Sequence, residues 1–341
     1  MVEQEFETIA EDLRKQLDSS RQNWLFGAGI SCESNIPLMY PLTARVKKII
    51  DDSGYIKNHE IYKVVESELV DNSHVEHFLS HLGDLITIAS RSRFKTANLG
   101  GKSYEESEFL CLYNAIILAI STTVRYGYYK KDGEEEKVGN VESPIVEINH
   151  HVNFVKSLIS NRSNLMSRSK LSFFTTNYDT LLEDALGIEN ITVIDGFSGG
   201  SLGYWNPQIE FSDLNKYANK CLLYKLHGSI DWQYTDDRKL IRARYGTKYL
   251  STSSQIMIYP QATKYVETQK DPFSYLFHGF RQALNASEDN VLITCGYSFG
   301  DQHINLEIES ALSSRNNRTT LIVFIKESLQ GGIVINPILD K

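Results

Sequence analysis

Apolar positions along this 341-residue chain come in two textures. One is helical spacing, seen first at Phe6, Ile9, Ala10, Leu13 and Leu17 and then through a long middle block. That block holds IYKVVESELV, VEHFLSHLGDLITIA, an apolar-faced segment at 108–124 and INHHVNFVKSLISN at 148–161. The other texture is the short apolar run closed by turn residues: NWLFGAGIS at 23–31 and, later, LSFFTTN, ITVIDGF, CLLYKLHG, QIMIYP, VLITCGYS and TTLIVFI. Helix-like stretches separate several of the later runs, as parallel strands do when crossover helices cover both faces of their sheet. The pattern predicts an α/β fold. A doubly wound, Rossmann-type parallel sheet forms from residues 1–42 and 167–341, with a mostly helical insertion at 43–166.

Composition narrows the class. With 41% apolar residues the chain can fill a sizeable core without staples. Cys32, Cys111, Cys221 and Cys295 form no CxxC pair, so neither a disulfide framework nor a zinc site is expected, and buried thiols in a reducing compartment are. The acidic, helix-patterned start excludes a cleavable signal peptide, and the apolar run at 115–120 is too short to span a bilayer. A soluble cytoplasmic protein without membrane association is predicted. A net charge of −8 argues against nonspecific phosphate-backbone binding as the main work, and the basic runs at 91–95 and 238–248 read as solvated loops. His74, His77 and His81 share one helix face but lack acidic or cysteine partners, so a polar face is expected there and not a metal site.

Chemistry concentrates where the apolar runs end. Gly27, Ala28, Gly29 and Ser31 follow the first run; Asn177 and Asp179 follow LSFFTT. His227, Gly228 and Ser229 follow LLYKL, and Gly296, Ser298, Asp301 and His303 follow VLITC. Ligands of open parallel sheets bind outside the carboxyl ends of the strands, so one shared pocket is implied. Each feature alone has a plainer reading. GAGIS can cradle a phosphate or merely make a tight turn, and it fails the GxGxxG fingerprint at Cys32. Asn177 can be a helix cap, and His227 a satisfied core histidine or a general base. The second glycine-rich stretch, NLGGKS at 98–103, lacks the Walker glycine at Thr96 and reads as a surface loop.

Taken in order, GAGIS with IP at 36–37, TTNYD at 175–179, KLHGS at 225–229 and GYSFGD at 296–301 resemble the sirtuin-like NAD-binding fold. GFSGG at 196–200, Trp232, YPQATKY at 259–265 and GYSFGDQHIN at 296–305 are most similar to the sirtuin-like subunit of bacterial antiphage systems paired with a HerA-type hexameric ATPase. Two departures from protein deacylases stand out: there are no paired CxxC zinc ligands, and NIPLMYP replaces GIPDFR. The resemblance therefore implies cleavage of the nicotinamide–ribose bond of NAD with water in place of acyl-lysine, and no zinc.

On that resemblance, Asn177 would orient the ribose or the attacking water, and His227 would be the base. Gly27, Ala28, Gly29 and Ser31 would cradle the diphosphate. Thr176, Asp179 and Gly228 would line the pocket, with Asp179 bracing the Asn177 loop, while Gly296, Ser298 and Asp301 would hold the adenosine side. The same resemblance implies antiphage defence by NAD depletion, homo-oligomers, a HerA-like ATPase partner, and DNA contact only through that partner. The alternatives are an NAD or ADP-ribose sensor and a nuclease component of a defence complex.

Overall fold

The computed structural model describes residues 2–19, 21–131, 133–160, 171–206, 220–235, 237–244, 256–258, 271–285, 289–326, 328–330 and 333–335. The YPQATKY motif and residues 245–248 of the second basic run lie outside the described residues. The chain opens with α1 (Val2–Ser19) and β1 (Arg21–Phe26), and a 3-10 turn at Ala28–Ser34 follows. Next come α2 (Met39–Asp52), α3 (Ile56–Glu68), α4 (Val75–Arg91), β2 (Thr96–Leu99), β3 (Lys102–Glu105), α5 (Glu106–Tyr126), β4 (Tyr128–Tyr129), β5 (Lys137–Val138) and α6 (Asn149–Ser160). The second half holds β6 (Leu171–Thr175), α7 (Leu181–Ile188), β7 (Thr192–Ile194), β8 (Phe197–Gly199), β9 (Leu202–Trp205), β10 (Lys220–Lys225), β11 (Gly228–Tyr234), β12 (Leu240–Ala243) and β13 (Ile256–Ile258). It closes with α8 (Phe273–Leu284), β14 (Asn290–Cys295), α9 (Gln302–Ser313), β15 (Thr319–Phe324) and the hairpin β16 (Ser328–Gln330) with β17 (Ile333–Ile335).

Six parallel strands run in the order β15-β14-β1-β6-β10-β7. Consecutive apolar residues of the central strands, Trp24–Phe26 of β1, Phe173–Phe174 of β6 and Val291–Ile293 of β14, are buried because both faces there are covered. On one face Trp24, Phe26 and Phe173 pack with Leu182 and Leu186 of α7 and Phe154 of α6, whose ring lies 5.5 Å from that of Phe26. On the other, Leu25, Phe174, Tyr224 and Leu292 meet Phe277 and Phe280 of α8 and Ile304 and Ile308 of α9. A buried amide pair, Asn23 Nδ2 to Asn290 Oδ1 at 2.6 Å, joins β1 to β14. Strand order reverses there: β6, β10 and β7 lie to one side of β1 and β14 and β15 to the other, which makes β1/β14 the switch point where a ligand crevice opens.

A second, antiparallel sheet has the order β13-β11-β12-β9-β8 and buries Trp232 and Phe197 beside α8. The described part of QIMIYP, Ile256–Ile258, forms β13 of this antiparallel sheet. Helices α2 to α5 share a separate core of residues such as Val46, Ile61, Leu79, Phe109 and Ile116, and that core also takes in Ile36, Tyr178, Leu181 and Ile230. By number α6 falls in the 43–166 block, yet its Val155 is buried on the parallel sheet. α5 has the length and apolarity of a membrane-crossing helix, and half of that apolar stretch is buried in the protein.

Other surface features resolve locally. NLGGKS is the turn of the β2–β3 hairpin, with Gly100 and Gly101 at φ +56 and +78 as such two-residue turns require. The buried-thiol expectation holds for Cys221 but not for Cys32 and Cys111, which are exposed. The second basic run is only partly solvated: Arg242 is bonded to Asp195, and Arg244 lies 3.1 Å from Asp231. His74 and His77 cap the start of α4, His81 lies 3.1 Å from Glu68, and no metal-binding group occurs among the described residues.

Candidate active site

Two glycine turns meet at the switch point. Gly27 N–H donates to Cys295 O at 3.1 Å, Gly29 N–H to Gly296 O at 3.0 Å and Ile30 N–H to Gly27 O at 3.2 Å. A Cβ on Gly27 would lie 2.5 Å from Gly296 O, and one on Gly296 would lie 2.5 Å from Ile30 N. The glycines are thus required by contact between the β1 and β14 turns, in addition to any ligand. Because these amides are spent inside the protein, the N–H left for an anion at this turn is that of exposed Ala28. Gly29, Gly296 and Ser298 are exposed beside it, so the crevice has a small-residue rim.

Beneath that rim lies a buried polar trio. Ser31 sits in the 3-10 turn, and its hydroxyl donates to Asp179 Oδ2 at 2.8 Å while accepting from Asn177 Nδ2 at 3.1 Å. Asp179 Oδ1 accepts the Leu181 N–H at 3.0 Å, which ties the carboxylate to the start of α7. Asn177 Oδ1 is buried with no partner among the described residues. A buried carbonyl without a donor costs about 1–3 kcal/mol, so this atom is suited to receive a donor from a ligand. The helix-cap reading of Asn177 fails, since its side chain is bonded to Ser31, Thr180 holds the N-cap position of α7 and Asp179 accepts the first helical N–H. Thr176 borders the trio, half-buried, with its N–H on Phe26 O at 3.0 Å.

His227, at the exit of β10, is buried, and its Nε2 lies 2.7 Å from Asp301 Oδ2. The other Asp301 oxygen accepts the His303 N–H at 3.1 Å and caps α9. Asp301 therefore serves the imidazole and a helix end, where the sequence reading has it holding adenosine. Neutral His227 with its Nε2–H on this carboxylate carries its basic lone pair on Nδ1, the nitrogen that would accept a proton. Gly228, at φ +84, lets the chain turn from His227 into β11. Four bonds then bind this turn to the Asn177 loop: Leu226 N–H to Thr175 O at 2.8 Å, Ile230 N–H to Tyr178 O at 3.0 Å, Ser229 Oγ to Tyr178 O at 3.3 Å, and Lys225 Nζ to Asp179 O.

Sequence reasoning missed several of these residues. Lys225 is buried and also lies 2.8 Å from Glu183, whose carboxyl is pushed up to about 7 by burial, against the opposing pull of Lys225. His151 of α6 is buried with Nδ1 3.3 Å from Ser34 Oγ and Nε2 without a partner. Burial pushes its pKa down, while the negative charge of Asp179 pushes it up. A histidine doublet in a helix gives no sign of this placement.

The strand ends, the buried trio and the paired imidazole all lie in one cluster at the switch point. Residues 171–334 match the family model of the SIR2-like domain. The match spans Asn177, Asp179, His227, Gly296 and Asp301, whereas Gly27 to Ser31 lie outside it yet are bonded into the same cluster. The match supports a sirtuin-like family, and because SIR2-like domains are generally NAD-dependent enzymes it suggests NAD-related activity. No curated protein matches the chain.

Proposed function

We propose that the chain is an NAD glycohydrolase releasing nicotinamide and ADP-ribose. The observation that carries this reading is the pairing of a buried Ser31–Asn177–Asp179 trio with a His227–Asp301 couple on neighbouring strand ends. NAD fits the residues present: the exposed rim of Ala28, Gly29, Gly296 and Ser298 carries no bulky side chain, and Asn177 Oδ1 is a buried acceptor awaiting a donor.

When the N-glycosidic bond breaks, its electron pair leaves with the pyridine nitrogen and nicotinamide departs neutral, so no acid is needed for the leaving group. Positive charge builds on the ribose, and the Asp179 carboxylate and Asn177 amide supply a fixed polar grip near it. His227 Nδ1 takes the proton from the attacking water, whose oxygen bonds to the ribose C1. The Asp301 carboxylate steadies the imidazolium that results. The Ala28 amide and the rim of the two glycine turns hold the diphosphate.

In the same reading, the activity serves antiphage defence by depleting NAD and is held in check by homo-oligomerisation and a HerA-like hexameric ATPase. The test is nicotinamide release by purified full-length protein, alone and with such an ATPase, with linear and cyclic ADP-ribose resolved. Release with linear ADP-ribose supports the hydrolase. Tight NAD binding without release under both conditions would replace it with the sensor reading.

A further inference from the structure

The loop carrying Asn177 and Asp179 is held from its far side by the helical insertion. Tyr178, between the two site residues, turns its ring into the insertion core, and its hydroxyl donates to Glu76 Oε1 in the first turn of α4. Both side chains are buried, Tyr178 at 8% and Glu76 at 4% exposure. Burial and then the Glu76 charge raise the Tyr178 pKa, so the phenol remains the donor at neutral pH. The Tyr178 carbonyl meanwhile accepts from Ile230 N–H and Ser229 Oγ beside His227. A second insertion helix reaches the same place: Arg125 of α5 donates from Nη2 to Ile230 O at 3.0 Å. Leu181 and Ile230 are buried in the insertion core with Tyr178.

We propose that Tyr178 and Glu76 are a positioning pair, through which α4 of the insertion sets the place of Asn177 and Asp179 relative to His227. The insertion is then part of the machinery of the site. A shift of α4 would pull on one backbone position flanked by two site residues and bonded to the turn of a third. Because the diphosphate rim lies on the β1 and β14 turns, such a shift changes the rate of bond cleavage and leaves NAD affinity in place.

The rate arm of the test rests on the glycohydrolase reading. In full-length protein, Tyr178→Phe and Glu76→Ala should each lower kcat by about tenfold to a hundredfold, the scale of a 1 Å misplacement, with KM for NAD changed by less than about twofold. Glu76→Gln, which keeps an acceptor of the same shape, should restore kcat to within a few-fold. Combining Tyr178→Phe with Glu76→Ala should cost no more than either alone. Tyr62→Phe is the control: it removes a hydroxyl from another buried tyrosine of the same core, stacked on Phe78, and should leave kcat unchanged. Equal losses for Tyr178→Phe and Tyr62→Phe, or losses confined to KM, would overturn the proposal.

Hydrogen exchange over residues 176–182 separates this claim from the reaction itself. Glu76→Ala should speed exchange there and Tyr62→Phe should not, even if wild-type protein releases no nicotinamide. Unchanged exchange in Glu76→Ala would sink the positioning pair whatever the protein catalyses.

Discussion

Gly296→Ala tests whether contact between two turns sets the geometry of the site. The new Cβ would lie 2.5 Å from Ile30 N, 2.8 Å from Gly29 C and 2.9 Å from Gly29 Cα, all backbone atoms that cannot rotate away. Ordinary contact begins near 3.4 Å, so the β1 and β14 turns must part by about 0.9 Å. Gly296 also sits at φ +63, where an L side chain costs about 1–2 kcal/mol. Parting the turns breaks the 3.0 Å bond from Gly29 N–H to Gly296 O, which adds about 1 kcal/mol. A total loss of about 2–3 kcal/mol is expected. A displacement near 1 Å should reduce turnover by about a hundredfold, and NAD affinity should fall with it because the same turns form the rim. The assay pairs thermal melting with NAD binding by calorimetry and nicotinamide release. Gly200→Ala serves as comparison, since nothing lies within 4 Å of its Cβ position. Wild-type affinity and turnover in Gly296→Ala would refute the reasoning, whatever happened to its melting temperature.

Three other outcomes follow from the buried charges. Burial pushes the Glu183 carboxyl from its ordinary 4.5 up to about 7, so between those values the folded state holds its proton while the unfolded state releases it. Stability from this group is full below about pH 4.5 and is lost as pH rises towards 7, by about 3 kcal/mol in all; Glu183→Gln should flatten that decline in melting curves at pH 5 and 7.5 relative to wild type. Lys225→Met removes the cation bonded to buried Glu183, with Arg244 remaining as a weaker influence, and removes the bond to Asp179 O, so denaturant unfolding should show a loss of about 3–5 kcal/mol; a loss below about 1 kcal/mol would show the pair to be unimportant. Asp301→Asn has a single acceptor oxygen, and when that oxygen keeps the cap of α9 an NH2 faces His227 Nε2 and favours the other tautomer, so kcat should fall at least about a hundredfold with the melting temperature nearly unchanged, and an unchanged kcat would separate Asp301 from catalysis.

The parts of this site that were legible in the sequence are those written in consecutive residues. LSFFTTNYD and CLLYKLHGS each show a buried strand followed at once by polar groups, because a parallel strand buried on both faces must be apolar throughout and its ligand end need not be. Helix α4 was legible from spacing, at Val75, Phe78, Leu79, Leu82 and Leu85. The antiparallel sheet was not. β8, β9, β12 and β13 are three or four residues long, too short to show alternation. Long-range partners were also silent: Glu76 is 102 residues from Tyr178, and Glu183 is 42 from Lys225. Asp301 was legible as a polar strand-end residue, but its bond to an imidazole from another strand is set by sheet order, which puts β14, β1, β6 and β10 side by side.

The most direct test of the central claim is nicotinamide release by wild-type protein beside Asn177→Ala and His227→Ala, with NAD binding measured on the same samples. The account predicts release by wild type, loss of at least about a hundredfold in each variant, and NAD binding retained in both. Release that persists in either variant at the wild-type rate would contradict the assignment of the trio and the imidazole as the reacting site.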